Sequence, residues 1–294
     1  MPPPAITAPD RRTTMTEPGS IVVLLDTSPA SEAALSAAAR IARFRGRELV
    51  GLFIEERDLI RSAAYPFARE ISFLSGTSRP FDSEMLRGRL DWQRRRIERR
   101  LAEEAARHNL SWRLLVESGS AVEVLAASGL NAELLLLGKA GWSRGRGGRL
   151  GSTATALIGS WSAPLVLWEG TPPPGGGAVS ALITDNAAAA SILAVADTLA
   201  AAADRSLHLL LAPGVDPAVE RALLDARREK PTATTVEHPD SNRLTSLARS
   251  LRRRPPGELV IGRSAARAFD CRLEELLVLG EDPVVVVPNG EHPD

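Results

Sequence analysis

The sequence predicts an α/β protein assembled from two copies of one parallel-sheet domain. Three observations carry that prediction. Short, strongly apolar, β-branched runs alternate with stretches of helical periodicity. The order strand, helix, strand has apolar strands on both sides, as a parallel sheet buried on both faces requires. The pattern of the first half then returns in the second.

The first strand is read at Ser20–Leu25 (SIVVLL), ending at Asp26. Thr27, Ser28 and Pro29 follow, and this is chemistry suited to a helix cap and a first helical turn. Ala34, Leu35, Ala38, Ile41 and Ala42 then recur at helical spacing, and Gly46 closes the helix before a second strand at Glu48–Ile54. Residues 56–81 show no clear period and read as an insertion. Ser83–Asn109 reads as a long amphipathic helix with Leu86, Leu90, Ile97, Leu101 and Ala105 on one face. Its eight Arg against five acids, spaced for pairing, describe a solvated face rather than a nucleic-acid surface. A strand at Trp112–Glu117, a short helix at Ala121–Gly129, a strand at Glu133–Leu137 and a last one at Ala163–Trp168 complete five strands.

The second half repeats this. Val179–Thr184 runs into Asp185, the stripe Ile192, Leu193, Ala196, Leu199, Ala200 follows, and Leu207–Leu211 is the next strand. The two Asp residues lie 159 apart and the stripes 158 apart, which suggests a one-residue deletion in the turn. Glu258–Ile261 before Gly262 mirrors Glu133–Leu137 before Gly138, and Asp282–Val287 mirrors the strand at 163–168. Gly170–Gly177 (GTPPPGGG) is a linker by composition. The expected organisation is therefore a tail at 1–19, a domain at 20–169, a linker at 170–177, a second domain at 178–289 and a tail at 290–294. The last strands of the two domains, Leu165–Trp168 and Val284–Val287, are each an apolar edge that would invite aggregation if left open.

Composition excludes several classes. Thirty-six basic residues balance 36 acidic ones, so the basic excess of a dedicated nucleic-acid binder is missing. A single cysteine, Cys271, read as lying in a helix, excludes a disulfide framework and a multi-cysteine zinc site; the four scattered histidines give no metal motif. No apolar run reaches the length of a membrane span, and the N-terminus lacks a signal-peptide core, so a cytoplasmic location is expected, without membrane association. Walker A, dinucleotide-fingerprint and nucleophile-elbow motifs are all missing, which argues against an enzyme.

The most informative stretch is LLGKAGWSRGRGGRL at 136–150, leading into GSTATALIGSW. It connects an apolar strand to a helix opening at Ser152–Thr153. Helix N-termini present unpaired N–H groups and a positive dipole end, and glycines let the backbone approach a phosphate without a Cβ clash. Lys139, Arg144, Arg146 and Arg149 add positive charge, although the three arginines are as well explained as loop charges and Lys139 as a solvent-facing one. In open parallel sheets ligands lie beyond the carboxyl ends of the strands, where Asp26 also falls; it either contacts the ligand or caps the following helix.

The spacing Gly138-x2-Gly141-x9-Gly151-Ser152, the opening strand with Asp26-Thr27-Ser28 and the closing Ala163-Pro164-Leu165-Val166 resemble the ATP-binding branch of the universal stress protein family. The resemblance implies a five-stranded parallel sheet of order 3-2-1-4-5 with helices on both faces, here as two tandem open sheets whose last strands, Leu165–Trp168 and Val284–Val287, meet as an intrachain pseudo-dimer. It also implies an adenine nucleotide site: Gly138, Gly141 and Gly151 admitting the phosphates, Ser152 and Thr153 bonding them, Asp26 and Thr27 on the ribose side, and the backbone of Phe53 reading the adenine. The Arg/Gly-rich spacer and the insertion after Phe53 depart from the common pattern of that family. The second half lacks the loop: Gly262 to Pro283 spans 21 residues against 26 from Gly138 to Pro164, and one glycine replaces six. The expectation is one ATP site per chain, in the first half, in a non-catalytic stress-response regulator with an unidentified protein partner and homodimerisation open. A nucleotide-free scaffold and a slow ATP hydrolase using bound Mg2+ are the alternatives.

Overall fold

The protein is described here by a computed structural model covering residues 19–55, 61, 65, 67–72, 75–80, 83–139, 150–168, 176–228, 230, 232–277, 279 and 282–288. In the first half, β1 (Ser20–Leu24) leads to α1 (Pro29–Arg45), β2 (Leu49–Glu55), a small hairpin of β3 (Arg69–Ile71) and β4 (Ser78–Pro80), α2 (Ser83–His108), β5 (Trp112–Ser118), α3 (Ala121–Ala127), β6 (Ala132–Gly138), α4 (Ser152–Ser160) and β7 (Leu165–Trp168). The second half runs β8 (Val179–Ile183), α5 (Ala189–Ala202), β9 (Leu207–Leu211), α6 (Pro217–Asp225), β10 (Thr234–Glu237), α7 (Leu244–Arg252), β11 (Leu259–Gly262), α8 (Ala265–Ala268), α9 (Leu273–Leu277) and β12 (Val284–Val287).

Local chemistry accounts for the element boundaries. Ser28 caps α1, its Oγ accepting the Ser31 N–H at 3.1 Å, with Pro29 in the first turn; Gly46 ends the helix in the left-handed region at φ 62°. Ser120 and Glu123 close a reciprocal capping box at the start of α3. The insertion holds the β3–β4 hairpin, paired antiparallel and separate from the main sheet.

The strands form one sheet in the order β10-β9-β8-β11-β12-β7-β6-β1-β2-β5. Each half is five-stranded and parallel, with the internal order 3-2-1-4-5. The expected pair of separate sheets is corrected: β12 and β7 pair antiparallel, with Val284 opposite Leu167, Val285 opposite Val166 and Val286 opposite Leu165. Two buried apolar edges thus satisfy each other's backbone groups instead of being left open. Helices α1, α2, α5 and α6 cover one face, and α3, α4, α7, α8 and α9 cover the other.

A second correction concerns the repeat. Ile21, Val23 and Leu25 face α1, and Val179, Ala181 and Ile183 occupy the same face in the second half, an offset of 179 − 21 = 158. Pairing agrees: Val22 lies opposite Leu135 as Ser180 lies opposite Leu259. Strand and helix therefore repeat at one interval and no turn residue is deleted. Asp185 occupies the place of Thr27, and Thr184 the place of Asp26.

Candidate functional site

The carboxyl ends of β1, β2 and β6 are neighbours in the sheet, so Asp26, Thr27, Phe53, Gly138 and Lys139 are brought to one edge. Gly151 joins them because its N–H donates to the Lys139 carbonyl at 3.0 Å, pinching together the two ends of the glycine loop. Gly141, Arg144, Arg146 and Arg149 lie outside the described residues. Gly151 stands at the cap position of α4 with φ −64° and ψ 154°, and no side chain caps the helix. The cap residue itself thus offers the first-turn N–H groups of α4 no side-chain acceptor, and Gly151 ties that helix end to Lys139. Ser152 is exposed and Thr153 half-buried at that turn. A helix end of this kind suits an anion.

The turn after β1 is tightly built. Asp26 Oδ1 accepts the Ser28 N–H at 3.0 Å, and its own N–H donates to Ser31 Oγ at 3.4 Å. Asp26 is therefore a turn cap. Thr27, 6% exposed, is held at φ 63°. A β-branched residue in the left-handed region is a steric outlier costing roughly 1–3 kcal/mol, and such residues gather at ligand sites. Ser28 and Ser31, which sequence reading used only as cap chemistry or not at all, fix this turn; the signal was a hydroxyl three residues beyond another.

Gly138 has a packing reason of its own. A Cβ there would stand 3.1 Å from Ala30 Cβ and 3.4 Å from the Ser31 nitrogen, so the residue lets α1 sit against the end of β6. Lys139 does not face solvent, as one reading of the sequence had it. It is 3% exposed, and its N–H donates to the Trp168 carbonyl at 2.8 Å. Arg263 repeats that arrangement after β11, its N–H donating to Val287 O at 2.9 Å, and its guanidinium donates across the joint to Trp161 O at 2.5 Å. Phe53 is buried; the ladder with β5 continues past it to Glu55, while the ladder with β1 ends at Leu52.

The second half closes the corresponding space with its own side chains. Asp185 accepts the Ala188 N–H at 2.8 Å and the Ser264 hydroxyl at 2.7 Å. Ser264 comes from the segment that replaces the glycine loop, where short helices α8 and α9 stand. Asp185 is not in the left-handed region. Cys271 lies between α8 and α9 rather than within a helix. Burial, and then the carboxylates of Glu275 and Asp270, push its thiol pKa up, which disfavours a reactive thiolate. Among the described residues no group of three or more His, Cys, Asp or Glu is placed to hold a metal ion, and no helix is long and apolar enough to cross a membrane.

Two like-ordered parallel half-sheets, joined through antiparallel pairing of their last strands, define a double α/β protein built on one continuous sheet. The family model of the universal stress proteins matches residues 19–168, half of the chain, and the chain belongs to that family. Among solved structures it is similar to a universal stress protein from Archaeoglobus fulgidus (13% identity, TM-score 0.62, covering 92% of this chain and 98% of that one). It is also similar to a protein of unknown function from Pseudomonas aeruginosa PAO1 (17% identity, TM-score 0.57, 92% of each chain). At such identities the likeness concerns fold, and it extends over both halves. No curated protein matches the sequence.

Proposed function

We propose that the first half binds one ATP and that the chain acts as a non-catalytic regulator within the stress response, the second half serving as a structural partner. The observation that carries the reading is Thr27: a strained, buried, β-branched residue at the carboxyl end of β1, with no strained counterpart in the second half. Strain persists where the surroundings over-determine it, and here the surroundings are Asp26, the start of α1 and the edge that also holds Gly151. The phosphates would lie on the α4 N-terminus at Gly151, Ser152 and Thr153, and Gly141 is proposed to admit them as well. Asp26 and Thr27 would face the ribose, and the β2 backbone beyond Leu52, near Phe53, the adenine. Nucleotide held there would change the surface presented to a protein partner.

A nucleotide-free scaffold is the second reading, favoured by one observation: Asp26 and Gly138 each already have a structural task in the turn and in α1 packing. Denaturing freshly purified protein and chromatographing the supernatant separates the two. Adenine nucleotide released in proportion to protein supports the site; a clean supernatant, together with no thermal shift in millimolar ATP with or without Mg2+, supports the scaffold. Turnover of ATP above that of a Gly141→Val control would instead favour a hydrolase.

A further inference from the structure

Helix α5 is apolar nearly all round: in AASILAVADTLAAA the only charge is Asp197. A helix of that composition is normally covered on every side. In the first half the crossover after the second strand is α2, 26 residues long, and it covers α1. In the second half the corresponding crossover helix, α6, has 9 residues. The difference leaves a groove of about 970 Å³ between the end of α1, α5 and α6. Its walls include Phe44, Leu134, Ala190, Ala194 and Leu223, with Phe44 51% exposed and Ala190 and Ala194 also exposed. The volume is that of a small-molecule pocket, and it lies between two domains, where such pockets concentrate.

The charges at its mouths choose the ligand. At one end Glu133 is shared by Arg45 at 2.5 Å and Arg47 at 2.7 Å. At the other, Asp197 is shared by Arg227 and by Lys230 at 3.6 Å. Arg45 and Lys230 line the groove, as do the two carboxylates; Arg47 and Arg227 do not line it, but each pairs with one of those carboxylates, so two cations meet one carboxylate at each end of an apolar interior. We propose that this groove binds an amphipathic anion, a carboxylate carried on a long aliphatic chain, with the chain along α5 and the head on Lys230 or Arg45. This site is separate from the proposed nucleotide site and stands or falls without it.

The test is calorimetric titration of the full chain with dodecanoate below its micelle concentration, with dodecanol as the uncharged control. Saturable one-to-one binding is expected, about tenfold or more tighter for the acid than for the alcohol. Ala194→Trp, which fills the groove, should weaken it at least tenfold, and Ala190→Leu serves if that variant fails to fold. Arg45→Glu with Lys230→Glu should remove the preference for the acid, whereas Gly151→Val should leave binding unchanged. Absent saturation, equal affinity for acid and alcohol, indifference to the groove-filling variants, or a dimer in sedimentation that those variants dissolve would each overturn the proposal.

Discussion

His208 lies on β9, 5% exposed, with Nδ1 2.5 Å from Thr235 Oγ1 and Nε2 3.7 Å from Glu237 Oε2. Arg254, from the end of α7, donates to Glu237 at 2.9 Å and to Ser180 Oγ at 3.0 Å, so a cation already occupies the carboxylate's other side. Burial, and then the charge of Arg254, lower the His208 pKa from 6.5 to about 4, with Glu237 opposing. The folded protein thus keeps the imidazole neutral through a range in which the unfolded chain binds a proton. Its contribution is complete above pH 6.5 and is lost as pH falls toward 4, at about 1.4 kcal/mol per pH unit. Between pH 7 and pH 5 that amounts to about 2 kcal/mol. Urea unfolding of the wild-type chain and of His208→Gln at both pH values measures it, since the variant cannot titrate there. The wild type should lose about 2 kcal/mol more than the variant. Equal losses would refute the assignment of a neutral buried imidazole.

Other consequences are as direct. Gly257→Ala places a Cβ 2.3 Å from the Ala178 carbonyl oxygen and 3.1 Å from Gly177 backbone, so it should cost about 1–3 kcal/mol, read as a lowered Tm. Thr27→Gly relieves the left-handed strain and, after glycine's own entropic cost, should stabilise the fold by about 1 kcal/mol while weakening ATP; a destabilised variant would contradict strain at that turn. Ser264→Ala removes the hydroxyl that donates to Asp185 Oδ2 beside the Ala188 N–H on Oδ1 and should cost about 1 kcal/mol without creating a second nucleotide site. Val285→Asp puts a charge at a fully buried position opposite Val166 and should destabilise by several kcal/mol, with the 170–177 linker cut faster by protease if the two halves part.

Much of the fold was legible because its determinants are local. Apolar runs at 20–25 and 134–137, the stripe Ala34 to Ala42, and Ser28-Pro29 ahead of it each specify an element through periodicity or capping alone. The meeting of β7 and β12 was implied by the family resemblance, and two apolar edges that would otherwise lie open agree with it. That they would fuse the halves into one sheet is a matter of backbone pairing, to which side-chain patterns are blind. The repeat was misread at Asp185 because two aspartates after apolar strands look equivalent; only the alternation of buried faces shows that Thr184 and Asp185 stand one residue out of step. Lys139 misled for a related reason. A lysine among glycines reads as solvated, but here it is 3% exposed, with its N–H paired to the Trp168 carbonyl. His208 and Thr27 carry no sequence signal of their own, since burial and a positive φ arise from packing.

Titrating ATP into the full chain by calorimetry, beside Gly151→Val and Gly262→Ala, tests the central claim most directly. Gly151 has a φ and ψ that any residue adopts, so valine there leaves the backbone unstrained. Gly262→Ala meets Ile192 Cδ1 at 3.3 Å, a flexible neighbour, and should fold. The account predicts one ATP per chain, abolished by Gly151→Val and kept by Gly262→Ala; two sites per chain, none, or equal losses from both variants would contradict it.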